Sequence, residues 1–246
     1  MIAKVNLLEP EPQETSSRPV LANEIEGVQT RVHRLPSGAM LRSDPIANNG
    51  RVFLMLAGAG AVRAGMQTWR VSEPALLVPA PDQSLSMETQ DACLCLELRL
   101  ALTEEDRHEL AAGPRDRFPF FISYSQCKTY REKIKSPKTV NRTLLPAHTY
   151  PRLCVGSVET DGPDHVAAHC HPMLEQYFLG LPDNRCRVRA DTDEIDFGPN
   201  ELLHVPLGST HSVDVQAGRH LHYIWIDVFQ DAAGMAWIDE QHEDDA

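Results

Sequence analysis

The chain has 246 residues, 42% of them hydrophobic and 24% charged, with a formal net charge of −12 at pH 7. That length and balance describe a globular protein with room for two modest cores. The acidic balance argues against a nucleic-acid partner, because phosphate binding draws its affinity from clustered Lys and Arg.

In chain order, residues 1–26 read as an N-terminal tail containing the polar stretch EPEPQETSSRP, and DEQHEDDA (239–246) reads as an acidic tail. The N-terminus has no apolar signal-peptide core. The longest apolar run, VFLMLAGAGAV (52–62), is too short and glycine-rich to span a bilayer, so we expect a cytoplasmic protein with no membrane partner. The six cysteines, Cys93, Cys95, Cys127, Cys154, Cys170 and Cys186, form no CxxC pair and read as reduced, mostly buried thiols. Short β-rich runs broken by Gly, Ser and Pro predict consecutive antiparallel strands over 50–81. The phrase VSEPALLVPAPDQS (71–84) aligns without a gap on GPNELLHVPLGSTH (198–211) at an offset of 127, which puts Pro79 on Pro206 and Ser84 on His211. A repeat of this length predicts two copies of one all-β domain, at 27–102 and 146–246. Between them TEEDRHELAAGP predicts a helix, with Thr103 as cap, Asp106 at the capping-box position and Gly113-Pro114 as the stop. The remainder of 103–145, including the basic KTYREKIKSPK (128–138), reads as linker, a solvated connector.

The chemistry is concentrated in HVAAHCHPMLEQYFLGL (165–181). Alternate side chains of a strand share a face, so His169 and His171 point the same way, and Glu175, Tyr177 and Leu179 keep that parity if Pro172 only bends the strand. HCHPMLE, followed by Gly198 and PLGSTH, resembles the two motifs of the cupins, HxHxxxE and GxxxxxxxPxGxxH. The resemblance implies an all-β fold of two tandem double-stranded β-helix (jelly-roll) barrels. It also implies one divalent metal ion per chain, held by His169, His171, Glu175 and His211. Val215 stands where the second motif usually ends in asparagine. The first copy has serine at 84, proline at 81 where the turn wants glycine, and no histidine between His33 and His108, so it reads as a degenerate, structural barrel without a metal.

Over residues 140–240 the order NRTLLP, LCVGSVETDGPDH, HCHPMLEQYFLGL, GSTHSV and HLHYIWIDVFQD is similar to the C-terminal half of the bicupin uronate isomerases. These are the 5-keto-4-deoxyuronate isomerase of pectin breakdown and, more loosely, the 5-deoxyglucuronate isomerase of inositol breakdown. The pectin-pathway enzymes place one more residue between the second histidine and the glutamate. This resemblance implies a small acidic sugar as substrate, aldose–ketose isomerisation, and Zn2+ in preference to the Fe2+, Mn2+, Ni2+ or Co2+ that the same ligands accept. The general base is sought among Tyr177, on the ligand face by parity, and the closing strand. Depending on register that strand offers His220 and His222 or Tyr223, Trp225 and Asp227; Tyr177, His222 and Tyr223 are the candidate catalytic residues. Two other readings stay open: an Fe(II) cupin dioxygenase or lyase, and a non-catalytic sugar-binding cupin. A homo-oligomer, dimer or higher, is expected.

Overall fold

The computed structural model describes residues 1–8, 15–132, 135–231 and 233–235. The tail stretches 9–14 and 239–246 lie outside the described residues. In chain order the strands begin with β1 (Ala3–Asn6), β2 (Ser16–Val20), β3 (Val28–Leu35), β4 (Met40–Ser43) and β5 (Asn49–Ala57). They continue with β6 (Gly60–Ala64), β7 (Gln67–Val71), β8 (Ala75–Val78), β9 (Leu85–Thr89) and β10 (Cys93–Ala101). The helix α1 (Glu104–Ala112) follows, then β11 (Phe120–Ser123), β12 (Lys128–Tyr130), β13 (Val140–Tyr150), β14 (Leu153–Asp161) and β15 (Asp164–His169). The chain closes with β16 (Leu174–Gly180), β17 (Cys186–Ala190), β18 (Asp193–Phe197), β19 (Glu201–Val205), β20 (His211–Val215) and β21 (His220–Phe229).

The chain divides into two compact units, Leu8–Cys127 and Met1–Leu7 with Lys128–Ala246. The first pairs a sheet ordered β11-β8-β5-β10-β3-β2 with β4-β9-β6-β7; the second pairs β1-β19-β16-β21-β14-β13-β12 with β15-β20-β17-β18. Each encloses its own core, Phe53, Met55, Leu77 and Met87 in one and Phe178, Leu203, Val213 and Tyr223 in the other. The segment expected as an N-terminal tail instead holds β1 and β2. β1 adds to the C-terminal sheet by pairing antiparallel with β19, from Ala3 opposite His204 to Asn6 opposite Glu201, a partner too distant in sequence to leave a local pattern. KTYREKIKSPK, read as a solvated connector, exposes Lys128, Thr129, Arg131, Pro137 and Lys138 but also joins the C-terminal unit. Its β12 pairs with β13, Lys135 bridges Val166, and Lys138 Nζ donates to the carbonyls of Asp161 (2.8 Å) and Pro163 (2.7 Å). The helix has the predicted cap: Thr103 Oγ1 accepts from the Asp106 N–H at 3.1 Å and Asp106 Oδ2 from the Thr103 N–H at 2.8 Å. None of the six cysteines is in a disulfide; Cys170 is exposed. Among the described residues no helix is long and apolar enough to cross a membrane.

Over β4, β6, β7 and β9 the first barrel repeats in the second at 126 rather than 127. Ala64 pairs with Leu85 as Ala190 pairs with His211, and Gly60 with Val71 as Cys186 with Phe197. A one-residue slip exchanges the two faces of a strand, so Leu85, not Ser84, stands where His211 does. Ser43 opposes Leu85 as His169 opposes His211. Arg51, two residues before core Phe53, holds the place of Gln176, two before core Phe178; Arg51 pairs with Arg99 as Gln176 pairs with Asp227. The interior positions of the first barrel therefore carry guanidinium groups. Arg51, 2% exposed, donates to the Ser43 carbonyl (2.8 Å), to Ser43 Oγ (3.1 Å) and to the Gln83 carbonyl. Glu97 accepts from Arg99 at 2.9 and 3.0 Å and from His33 at 2.8 Å.

Burial of Glu97 opposes its ionisation, but the hydrogen bonds and charges of His33 and Arg99 outweigh it and hold the carboxyl down at about 2, below its ordinary 4.5. The stabilisation linked to that depressed value is complete above about pH 4.5 and is lost as pH falls toward 2. Glu97→Gln should lower the unfolding free energy at pH 7 by about 3 kcal/mol, the cost of breaking a buried ion pair. It should also flatten the loss of stability between pH 5 and 2, as read by urea unfolding across that range.

Candidate metal centre

β15 and β20 are antiparallel, and the register shift between Val166 and His169 brings His169 directly opposite His211. His171 follows in the turn that holds Pro172, before β16 begins at Leu174. That turn is tied to the second motif. Gly208, at φ +68 where a side chain would be strained, donates its N–H to the His171 carbonyl at 3.2 Å, and the Ser209 N–H closes onto the Pro206 carbonyl at 3.1 Å. The three ring centroids lie 4.3, 4.9 and 5.4 Å apart, and one ligand nitrogen from each falls within 4.8 Å of the others. His169 Nδ1 lies 2.8 Å from the Ala167 carbonyl and His211 Nδ1 3.1 Å from the Ser209 carbonyl. A carbonyl only accepts, so Nδ1 carries the proton in both rings and Nε2 keeps its lone pair. Burial, then the neighbouring His169, pushes His211 down to about 4; burial also lowers His169. Both are neutral at pH 7.

Glu175 does not join them. Pro172 does more than bend a strand: β15 ends at His169 and a turn intervenes, so parity is not carried across. Phe178 belongs to the barrel core, which puts Gln176 on the interior face and Glu175 and Tyr177 on the opposite one. There Glu175 Oε2 accepts from His204 Nε2 at 2.9 Å, and the Tyr177 ring lies 5.6 Å from that of His204. Gln176 is the residue that the extra-residue spacing of the pectin-pathway enzymes would have indicated. Its Nε2 donates to Asp227 Oδ1 at 2.8 Å, while its Oε1 is buried with no hydrogen-bond donor among the described residues.

The register of β21 decides between the two alternatives for the closing strand. Tyr223 lies in the core and Trp225 packs against it; a Cβ on Gly156 would come within 2.2 Å of the indole. Asp227 shares their face, and His220 and His222 take the other, where His222 Nδ1 donates to Asp183 Oδ1 at 2.9 Å. His222 is therefore not beside the three histidines. Tyr223 is interior but wedged at 4.7 Å from the Phe178 ring and 5.9 Å from Phe197, and burial raises its hydroxyl well above its ordinary value, so it packs rather than titrates. Burial likewise pushes Asp227 up to about 7, opposed by the Gln176 hydrogen bond and the charge of Lys135. Lys135 had no sequence signal beyond its basic surroundings. It bonds Glu132 and Asn141, both at 2.9 Å, and its charge is felt by Asp227, His169 and His211. Arg142 pairs with Glu159 at 2.6 Å.

No protein-family model matches the chain, and no curated protein matches it in sequence. Solved structures do. A cupin 2 conserved barrel domain protein from Leptotrichia buccalis superposes with a TM-score of 0.63 at 13% identity, over 93% of this chain and 96% of that one. A protein from Pseudomonas aeruginosa described as glyoxylate induced gives 0.72 at 12% identity over 92% and 88%. A mutant of Bacillus subtilis oxalate decarboxylase gives 0.69 at 12% identity over 93% and 77%. The fold is the cupin fold. In this cupin-fold barrel His169, His171 and His211 bring three ring nitrogens together, donors suited to a first-row divalent ion, and Gln176 lies on the same face of β16 as core Phe178. The expected set with Glu175 is corrected accordingly.

Gln176→Leu should weaken Zn2+ binding by about 10-fold or more, and His211→Ala by more than that, whereas Glu175→Gln should leave it within about threefold. Calorimetric titration of chelator-treated protein reads the difference.

Proposed function

We propose that the C-terminal barrel binds a divalent metal ion, zinc in preference, through His169, His171, His211 and Gln176, and interconverts the aldehyde and ketone forms of a uronate-like sugar. The observation that carries this reading is the contact between Gln176 and Asp227: one buried amide on the interior face of β16 holds a buried carboxylate with its nitrogen, and its oxygen has no hydrogen-bond donor among the described residues. A bound divalent ion supplies Lewis acidity to a carbonyl and its neighbouring hydroxyl, which acidifies the C–H between them. Asp227 is the base in this reading. It takes the proton from one carbon and returns it to the next, and the Gln176 N–H keeps its carboxylate oriented between the two transfers. Tyr223 and Trp225 share its face of β21 and pack with Phe178 in the barrel core. Lys135, its side chain 8% exposed, supplies a fixed cation to meet the carboxylate of the sugar, with Glu132 and Asn141 holding the ammonium in place.

Incubation with uronates and 5-keto-4-deoxyuronates in deuterated water, followed by proton NMR, should show aldehyde–ketone interconversion and deuterium beside the carbonyl. Asp227→Asn should lower turnover by about 100-fold or more with metal content unchanged. Tyr177→Phe should leave turnover within about threefold. A metal-loaded protein that isomerises no member of the panel overturns the reading.

A further inference from the structure

A second cluster of imidazoles and carboxylates lies on the other face of the same sheet. His220 and His222 are alternate residues of β21, and the ladder to β14 sets Asp161 opposite His220 and Glu159 opposite His222. Asp183, in the turn between β16 and β17, reaches in from a third element. We propose that Glu159, Asp183, His220 and His222 form a second divalent-metal site, independent of the interior centre and of the reaction proposed for it.

The spacing is that of a coordination shell. Ligand bonds of 2.0–2.1 Å in a tetrahedral zinc site put neighbouring donor atoms about 3.3 Å apart. His220 Nε2 lies 3.4 Å from Asp183 Oδ2 and 3.6 Å from Glu159 Oε1, long for hydrogen bonds and close to that edge. One donor atom each from Glu159, His220 and His222 falls within 4.8 Å of the others. Outer groups hold the donors in place. Arg142 Nη1 takes the second oxygen of Glu159 at 2.6 Å, leaving Oε1 toward the cluster, and Asp161 Oδ1 accepts from His220 Nδ1 at 2.8 Å, leaving Nε2 as the donor to a metal. Three carboxylates, Glu159, Asp161 and Asp183, surround the imidazoles, and a divalent cation answers that excess of negative charge. The side chains of His222 and His220 are 14% and 24% exposed and that of Asp183 55%, so an ion enters from solvent without opening the barrel. Mixed nitrogen and oxygen donors select zinc, nickel or cobalt over calcium, which takes oxygen ligands alone. Bound there, the ion cross-links β14, β21 and the β16–β17 turn.

The test titrates chelator-treated full chain with Zn2+ by calorimetry, with Ca2+ as the control and Co2+ absorption as the report on geometry. The wild type should take up two zinc equivalents and no calcium, and cobalt should give the intense visible bands of a tetrahedral site. Asp183→Asn, on an exposed turn where folding is not at stake, should weaken one equivalent by about 10-fold or more. His220→Gln with His222→Gln should abolish it and leave the other unchanged. His169→Gln should remove the other equivalent and keep this one, with thermal stabilisation by zinc persisting. A single equivalent in the wild type that is removed by His169→Gln, or a second that survives both Asp183→Asn and the paired histidine substitutions, overturns the proposal. Loss of the interior equivalent alone counts against the isomerase reading and not against this one.

Discussion

The antiparallel ladder between β15 and β20, which sets His169 directly opposite His211, is the constraint on which the rest of the interior centre depends. Opposed side chains in a ladder cannot be drawn apart without breaking backbone hydrogen bonds, so two imidazoles are held together before any ligand arrives. His171 is added by the N–H of Gly208, which secures one motif to the other. Alternation on β16 and β21 carries Gln176 and Asp227 inward, on the faces that bear core Phe178 and Tyr223. What reads as a four-residue motif is the crossing of two ladders and a turn.

Much of the architecture was legible because its signals are local. Thr103 and Asp106 define the helix start within four residues, and the recurring Pro and Gly breaks mark successive strands. The three histidines were legible for a similar reason, through HxH and the turn before His211. Glu175 was misjudged because parity holds only within a continuous strand, and Pro172 lies in a turn that resets it. The repeat was recognised but one residue out of step, because Pro79 and Pro206 attracted the alignment while the β6–β9 ladder superimposes on β17–β20 at 126. Lys135 and Asp227 could not be placed, since one depends on a long-range bridge to Val166 and the other on a register that only the assembled sheet decides.

The two barrels solve one electrostatic problem in two ways. At matching interior positions the second has Gln176 and Asp227, and the first has Arg51 and Arg99 with Glu97 and His33. A guanidinium is a cation that cannot dissociate or be deprotonated, so the first barrel has its charge attached covalently and is closed to exchange. The first barrel therefore differs by more than the missing motif histidines: its interior is filled by the hydrogen bonds of Arg51 to Ser43 and of Arg99 and His33 to Glu97.

The pairing of β1 with β19 has a consequence for how the chain is made. Asn6 and its partner Glu201 leave the ribosome about 195 residues apart, and at about 5–20 residues per second the first strand waits roughly 10–40 s for its place in the sheet. During that interval the unit that lies between the two pieces in sequence, Leu8–Cys127, has emerged. β1, synthesised well before β19, is thus paired late, and whatever engages it in the meantime must release it before the C-terminal sheet is complete.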